Sequence, residues 1–97
     1  MEPKAQALLN ELKKVFEGNV EYRFENELHK FRLECNGPSH WLYVARVFVD
    51  DHTAPELLAS LSNWQIPNAF RSSSQSRRLF LGEVGIREVN DSFGRGH

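Results

Sequence analysis

The sequence predicts an α+β domain: a two-layer sandwich with an antiparallel sheet, elements in the order α-β-β-β-α-β, and both helices on one face. Three features predict it. An apolar stripe at helical spacing opens the chain, alternating segments follow, and a capping pair then introduces a second leucine stripe.

Lys4 to Glu17 is the first helix. Ala5, Leu8, Leu9, Leu12, Val15 and Phe16 recur on one face, with Gln6, Glu11, Lys13 and Lys14 away from it. Pro3 suits the first turn and Gly18-Asn19 is a stop signal. Val20 to Phe24 then alternates with the period of a half-buried strand, and Leu28 to Cys35 does the same. His40 to Val49 reads as a third strand, apolar on both faces except at Arg46. Glu25-Asn26 and residues 36–39 are the turns between them.

These turns imply a register in which Cys35 opposes His40, Leu33 opposes Leu42, Phe31 opposes Val44 and Tyr22 opposes His29. One face then gathers Val20, Tyr22, Phe24, His29, Phe31, Leu33, Leu42, Val44 and Phe48 as core. Arg46 falls opposite His29, where its stem covers apolar surface and its head reaches solvent or a carboxylate.

Thr53 and Glu56 have capping-box spacing, and Asp50-Asp51 complements the positive end of a helix that starts there. Ala54, Leu57, Leu58 and Leu61 form its buried stripe, and Pro67 blocks its continuation. Residues 63–76 read as irregular, apolar first and serine-rich afterwards. Arg77 to Val89 reads as the last strand, with Gly82 and Gly85 marking a bulge or kink. Residues 90–97 read as a loose tail of a single domain spanning 1–97.

The first five elements share their order with the double-stranded-RNA-binding domain and with bacterial secretion chaperones, an analogy of order alone. Where such an RNA-binding domain needs a lysine-rich helix start, this chain has Asp50-Asp51.

Composition narrows the function classes. Seven Phe, two Trp and two Tyr in 97 residues supply a core without staples. The formal net charge of −1 argues against a general electrostatic grip on nucleic acid. Cys35 has no cysteine to pair with, the opening residues lead into a charged amphipathic stretch rather than a signal segment, and no apolar run is long enough for a span. The expectation is a cytoplasmic protein with no membrane association.

No constellation for catalysis, metal or cofactor binding is complete. Cys35 and His40 face each other in the expected register, but a metal needs three or four ligands, and His29 and His52 lie too far along the strands. No carboxylate pair and no glycine-rich phosphate loop stands out. The sequence therefore predicts a non-enzymatic interaction or regulatory domain without cofactor or metal.

Two surfaces are candidates for the partner. The second sheet face carries Trp41, Tyr43, Ala45, Val47 and Val49 beside Arg23, Lys30, Arg32 and Glu34. Aromatics with arginine are the composition of protein-interface anchors, so the expected partner is another protein or a second copy of the chain. The same composition can serve as a platform for single-stranded nucleic acid, the alternative reading. A small enzyme completed by a partner chain is the third. The other surface is the segment with Trp64, Ile66, Phe70 and Arg71, which either tucks into the core or docks on a partner. Its serine run, with Arg71, Arg77 and Arg78, could bind an anion or accept phosphate.

Overall fold

The computed structural model describes residues 2–35 and 37–89; the expected tail at 90–97 lies outside them. It is an α+β fold with a mixed sheet. Helix α1 (Pro3–Val15) is followed by strands β1 (Val20–Glu25), β2 (Leu28–Glu34) and β3 (Ser39–Ala45). Three helices then follow, α2 (Arg46–Asp51), α3 (Ala54–Asn63) and α4 (Ile66–Arg71), before strands β4 (Arg78–Gly82) and β5 (Gly85–Glu88). The sheet order is β1-β2-β3-β4-β5, antiparallel throughout except that β3 and β4 run parallel. The expected order α-β-β-β-α-β is corrected by the added α2, α4 and β5, and the expected antiparallel sheet by the parallel pairing of β3 with β4. Among the described residues no helix is long and apolar enough to cross a membrane.

The α1 stripe buries Ala5, Leu8, Leu9 and Leu12. The helix ends where Glu17 and Gly18 take left-handed φ values of 57° and 85°, and the Gly18 N–H donates back to the Lys13 carbonyl at 2.8 Å. Helix α3 starts on the expected capping box. Thr53 Oγ1 accepts from the Glu56 N–H, and the Glu56 carboxylate accepts from the Thr53 N–H at 2.8 Å.

The strand register is displaced by two residues from the expected one. Leu33 pairs with His40, Phe31 with Leu42 and His29 with Val44; Tyr22 pairs with Phe31. Cys35 therefore does not oppose His40. Between β1 and β2 the displacement comes from the first turn, which is Asn26-Glu27 rather than Glu25-Asn26, with φ of 55° and 63° as in a type I′ hairpin; between β2 and β3 it comes from a second turn tighter than expected, where the Cys35 N–H donates to the Pro38 carbonyl at 3.2 Å and Glu34 pairs with Ser39. Glu27 adopts this costly conformation under restraint: its carbonyl accepts from the Arg46 N–H at 3.0 Å and its carboxylate from Arg46 Nε at 3.1 Å. A shift of two keeps every side chain on its expected face. Val20, Phe31, Leu33, Leu42, Val44, Leu79 and Leu81 are buried together with Leu8, Leu12, Phe48, Leu57 and Leu61 of the helices in one cluster. Tyr22 and Leu58 pack only partly against it, and Phe24 is exposed.

Residues 46–51 are helical, not the end of the third strand. Their β-branched composition favours a strand, but tertiary contacts override it. Lys4 Nζ, forty-odd residues away, donates to the Val49 and Asp50 carbonyls at 3.2 Å each and satisfies the C-terminal end of this short helix. Arg46 sits in the first turn, exposed and paired with Glu27 and with Asp50 at 3.0 Å, rather than opposite His29.

The segment read as irregular contains α4. Gln65 takes φ 52° and redirects the chain, and Pro67, expected as a stop, occupies the first turn of the next helix. The final strand is a hairpin, with Glu83-Val84 as its turn instead of a bulge. Gly85 requires its glycine: φ is 107°, and a Cβ there would stand 3.0 Å from the Trp64 indole. Gly85→Ala is expected to cost about 1–3 kcal/mol in a denaturant titration. A loss under half that would mean the hairpin does not hold this conformation against Trp64.

Candidate functional site

One set of alternate strand positions is buried in a cluster with residues of the helices, and the other set lies outside that cluster, half-buried on β2, β3 and β4. Alternation along the strands puts Lys30 and Arg32 of β2, Trp41 and Tyr43 of β3, Arg78 and Phe80 of β4 and Arg87 of β5 on that second face. Pairing across the strands aligns them. Lys30 is the partner of Tyr43, Tyr43 of Phe80, and Phe80 of Arg87, so cation, aromatic, aromatic and cation form one row. Arg32, Trp41 and Arg78 form the neighbouring row.

Local geometry fixes these side chains. Lys30 Nζ stands 5.7 Å from the Tyr43 ring centre, and the Arg87 guanidinium 5.2 Å from that of Phe80. Trp41 and Tyr43 stack at 6.0 Å with 30° between their planes. Phe80 lies over Gly82, where a Cβ would come within 2.8 Å of its ring. Along this row runs a shallow depression of about 550 Å³ lined by Asn26, Leu28, Lys30, Tyr43, Arg78, Phe80, Arg87, Glu88 and Val89.

Charge is unevenly distributed over the face. On β1 and β2 the cations are matched: Glu25 meets Lys30 at 3.0 Å and Arg23 at 3.8 Å, and Arg32 meets both Glu21 and Glu34 at 3.4 Å. The Lys30 ammonium, donating a hydrogen bond, holds the Glu25 carboxyl below its ordinary range. On β4 and β5 the face positions are Arg78, Phe80 and Arg87, with no carboxylate among them. Glu88 lines the depression, but its carboxylate accepts from Arg77 at 3.0 and 3.1 Å, which lowers its pKa.

The other expected site residues separate. Ile66 and Phe70 are fully buried. They belong to the core because α4 turns them inward. Val49, expected on the open face, is also fully buried, since a helix places it beside Phe48; Val47 is exposed, on α2 and not on the sheet. Trp64 is half-exposed and rests on the Gly85 hairpin. Arg71 donates to the Val15 carbonyl at 2.9 Å. Arg77 donates to the Ala69 carbonyl at 3.2 Å and binds Glu88, so it does not join Arg78. Arg23, Lys30, Arg32, Trp41, Tyr43 and Arg78 remain together. Sequence reasoning missed Phe80 and Arg87, because the last strand was not read as two.

Two buried histidines lie on the covered face. His40 Nδ1 accepts from the Arg77 backbone N–H at 3.1 Å, and His29 Nδ1 is 2.7 Å from the Tyr22 hydroxyl. The Nε2 atoms of both are buried without a hydrogen-bond partner among the described residues. Burial, assisted at His40 by Arg77 and opposed by the Cys35 carbonyl, pushes the His40 pKa below its ordinary 6.5. Burial is also the main cause of the lowering at His29, where Glu2 and Asp50 oppose it. A base whose folded pKa is depressed takes up its proton more readily when unfolded, so stability is full above about 6.5 and falls as pH drops below it. Urea midpoints are expected to decline between about pH 6.5 and 5, above the carboxylate range. A flat profile there would mean these rings stay neutral or gain partners.

Among the described residues no group of three or more His, Cys, Asp and Glu converges as a metal site. Compared with known proteins, the chain matches no family model, no curated protein and no solved structure.

Proposed function

We propose that the protein is a non-enzymatic interaction domain, regulatory in role, that binds another protein through the open sheet face. On this reading the fold is a two-layer arrangement with the helices over one face, and the working surface is the other. The observation that carries it is the aligned row of Lys30, Tyr43, Phe80 and Arg87 beside Trp41, Arg32 and Arg78. Aromatic side chains flanked by arginine are the composition of anchor positions in protein interfaces. Protein is favoured over single-stranded nucleic acid on two grounds. The cations of β1 and β2 are already matched by Glu21, Glu25 and Glu34, which breaks any continuous track for a polyanion. The faces of Tyr43 and Phe80 are capped by Lys30 and Arg87, where stacked bases would need them clear. The single thiol, Cys35, fits a reducing compartment such as the cytoplasm.

The test is site-specific photo-crosslinking in the native cell. A photoreactive amino acid in place of Phe80 is expected to give a discrete protein adduct, and the same group at exposed Lys13 on α1 is not. A nucleic-acid adduct from position 80, or equal labelling from both positions, would sink the reading. An adduct of twice the chain mass would identify the second copy as the partner.

A further inference from the structure

We propose that two copies of the chain pair antiparallel along the free edge of β1, with Tyr22 opposite Tyr22 at the two-fold axis, so that their sheets join into one. The edge is separate from the open face, so this goes beyond the reading above, and either can fail without the other.

The backbone carries the first part of the case. β1 has β2 as its neighbour on one side and, among the described residues, no strand on the other. It pairs with β2 without a bulge from Val20 to Glu25 and contains neither proline nor glycine. One bond fixes its hydrogen-bonding directions. The Glu34 N–H donates to the Asn19 carbonyl at 3.2 Å, which makes these two a hydrogen-bonded pair in the β1–β2 register. Such pairs alternate in an antiparallel ladder, so Glu21, Arg23 and Glu25 turn their main-chain groups toward β2. Val20, Tyr22 and Phe24 turn theirs to the free side, where no loop backbone among the described residues bonds to them. An unpaired row of this kind is a template for another strand. The opposite edge, β5, has only four residues and opens on Gly85, which makes it the poorer template.

Charge then chooses the register. A two-fold pairing must set outward residues against outward residues. With Tyr22 opposite Tyr22, Val20 meets the partner's Phe24, and the joined edge gains about six main-chain hydrogen bonds. Glu21 then faces the partner's Arg23, and Arg23 the partner's Glu21, at the non-hydrogen-bonded positions where side chains come closest. An axis at Arg23 would set Arg23 on Arg23 and Glu21 on Glu25, and an axis at Glu21 would set Glu21 on itself. Axes at Val20 or Phe24 would run Tyr22 into the turns at Gly18 or Asn26, which hold φ of 85° and 55°.

The ion pairs already present stay intact. Glu21 is 76% exposed and meets Arg32 at 3.4 Å, and Arg23 is 63% exposed and meets Glu25 at 3.8 Å. Across the interface the order becomes Arg32, Glu21, the partner's Arg23 and the partner's Glu25, with signs alternating; a carboxylate and a guanidinium each have sites for a second partner. Phe24, 46% exposed on the side of β1 that holds buried Val20, gains the partner's Val20 as a neighbour.

The experiment is sedimentation equilibrium on the full chain, with circular dichroism on each variant. The 11.2 kDa chain is expected to dimerise with a Kd of about 100 μM or tighter. Phe24→Pro removes an N–H that points to the free edge and none that binds β2, so it should weaken dimerisation at least about tenfold. Glu21→Arg alone and Arg23→Glu alone should each weaken it too, because each sets like charge on like. Mixed in equal amounts, these two variants should associate as a heterodimer, since both cross-strand pairs are then opposite in sign. A chain that stays monomeric to about 1 mM would overturn the proposal. So would a dimer that persists undiminished in both charge variants, or a mixture of the two that gains nothing over either alone. Should Phe24→Pro fail to fold, the charge variants and their mixture decide by the same outcomes.

Discussion

Phe70→Ala is expected to lower unfolding free energy by about 3–5 kcal/mol, among the largest single losses available in this chain. Phe70 is fully buried although it lies on a helix of only six residues. Its ring meets Phe16 of the α1 cap edge-on at 6.4 Å and His40 of β3 at 5.0 Å. One side chain thus ties α1 and α4 to the sheet, and truncation leaves a cavity that three elements would have to close. Urea denaturation checks this. A loss below about 1 kcal/mol would mean that residues 66–71 ride on the surface as a mobile loop.

Val49→Asp should be comparably severe, at about 3–5 kcal/mol or outright failure to fold, because it places an unpaired carboxylate in the core. Val49 is fully buried, and its neighbour Val47 is 53% exposed. Val47→Asp should therefore change stability by no more than about 0.5 kcal/mol. The contrast separates two conformations of the same residues. In a strand, positions 47 and 49 share a face and respond alike; in the helix α2 they do not. Similar costs for the two substitutions would return residues 46–49 to the third strand.

These residues also show how much of the molecule was legible in the sequence. Local signals were clear where they were strong: the α1 stripe, the capping box at Thr53 and Glu56, and the alternation that sorted Phe31, Leu33, Leu42 and Val44 from Lys30, Arg32, Trp41 and Tyr43. The faces survived a register error because that error was even-numbered. Helix α2 was illegible because its C-terminal carbonyls are satisfied by Lys4, a contact with no trace in the local pattern. Glu27 at φ 63° was illegible for a like reason, being held by Arg46. The hairpin at Glu83-Val84 was hidden because its glycines stand at the strand ends rather than in the turn, so they suggest a kink as readily as a reversal. That omission removed Phe80 and Arg87, half of the central row, from the expected site. The match between cations and glutamates on β1 and β2, which weighs on the choice between protein and nucleic acid, needs the pairing to be known.

The measurement that bears most directly on the open-face account is the crosslinking yield from position 80 in a Trp41→Ala background, with circular dichroism taken on the same chain. Trp41 stacks on Tyr43 next to the row and makes no part of the buried core cluster. The account predicts a folded chain whose adduct is lost or strongly reduced, corresponding to about 2 kcal/mol or more of binding free energy. An unfolded Trp41→Ala chain, or a folded one whose adduct forms at full yield, would contradict it.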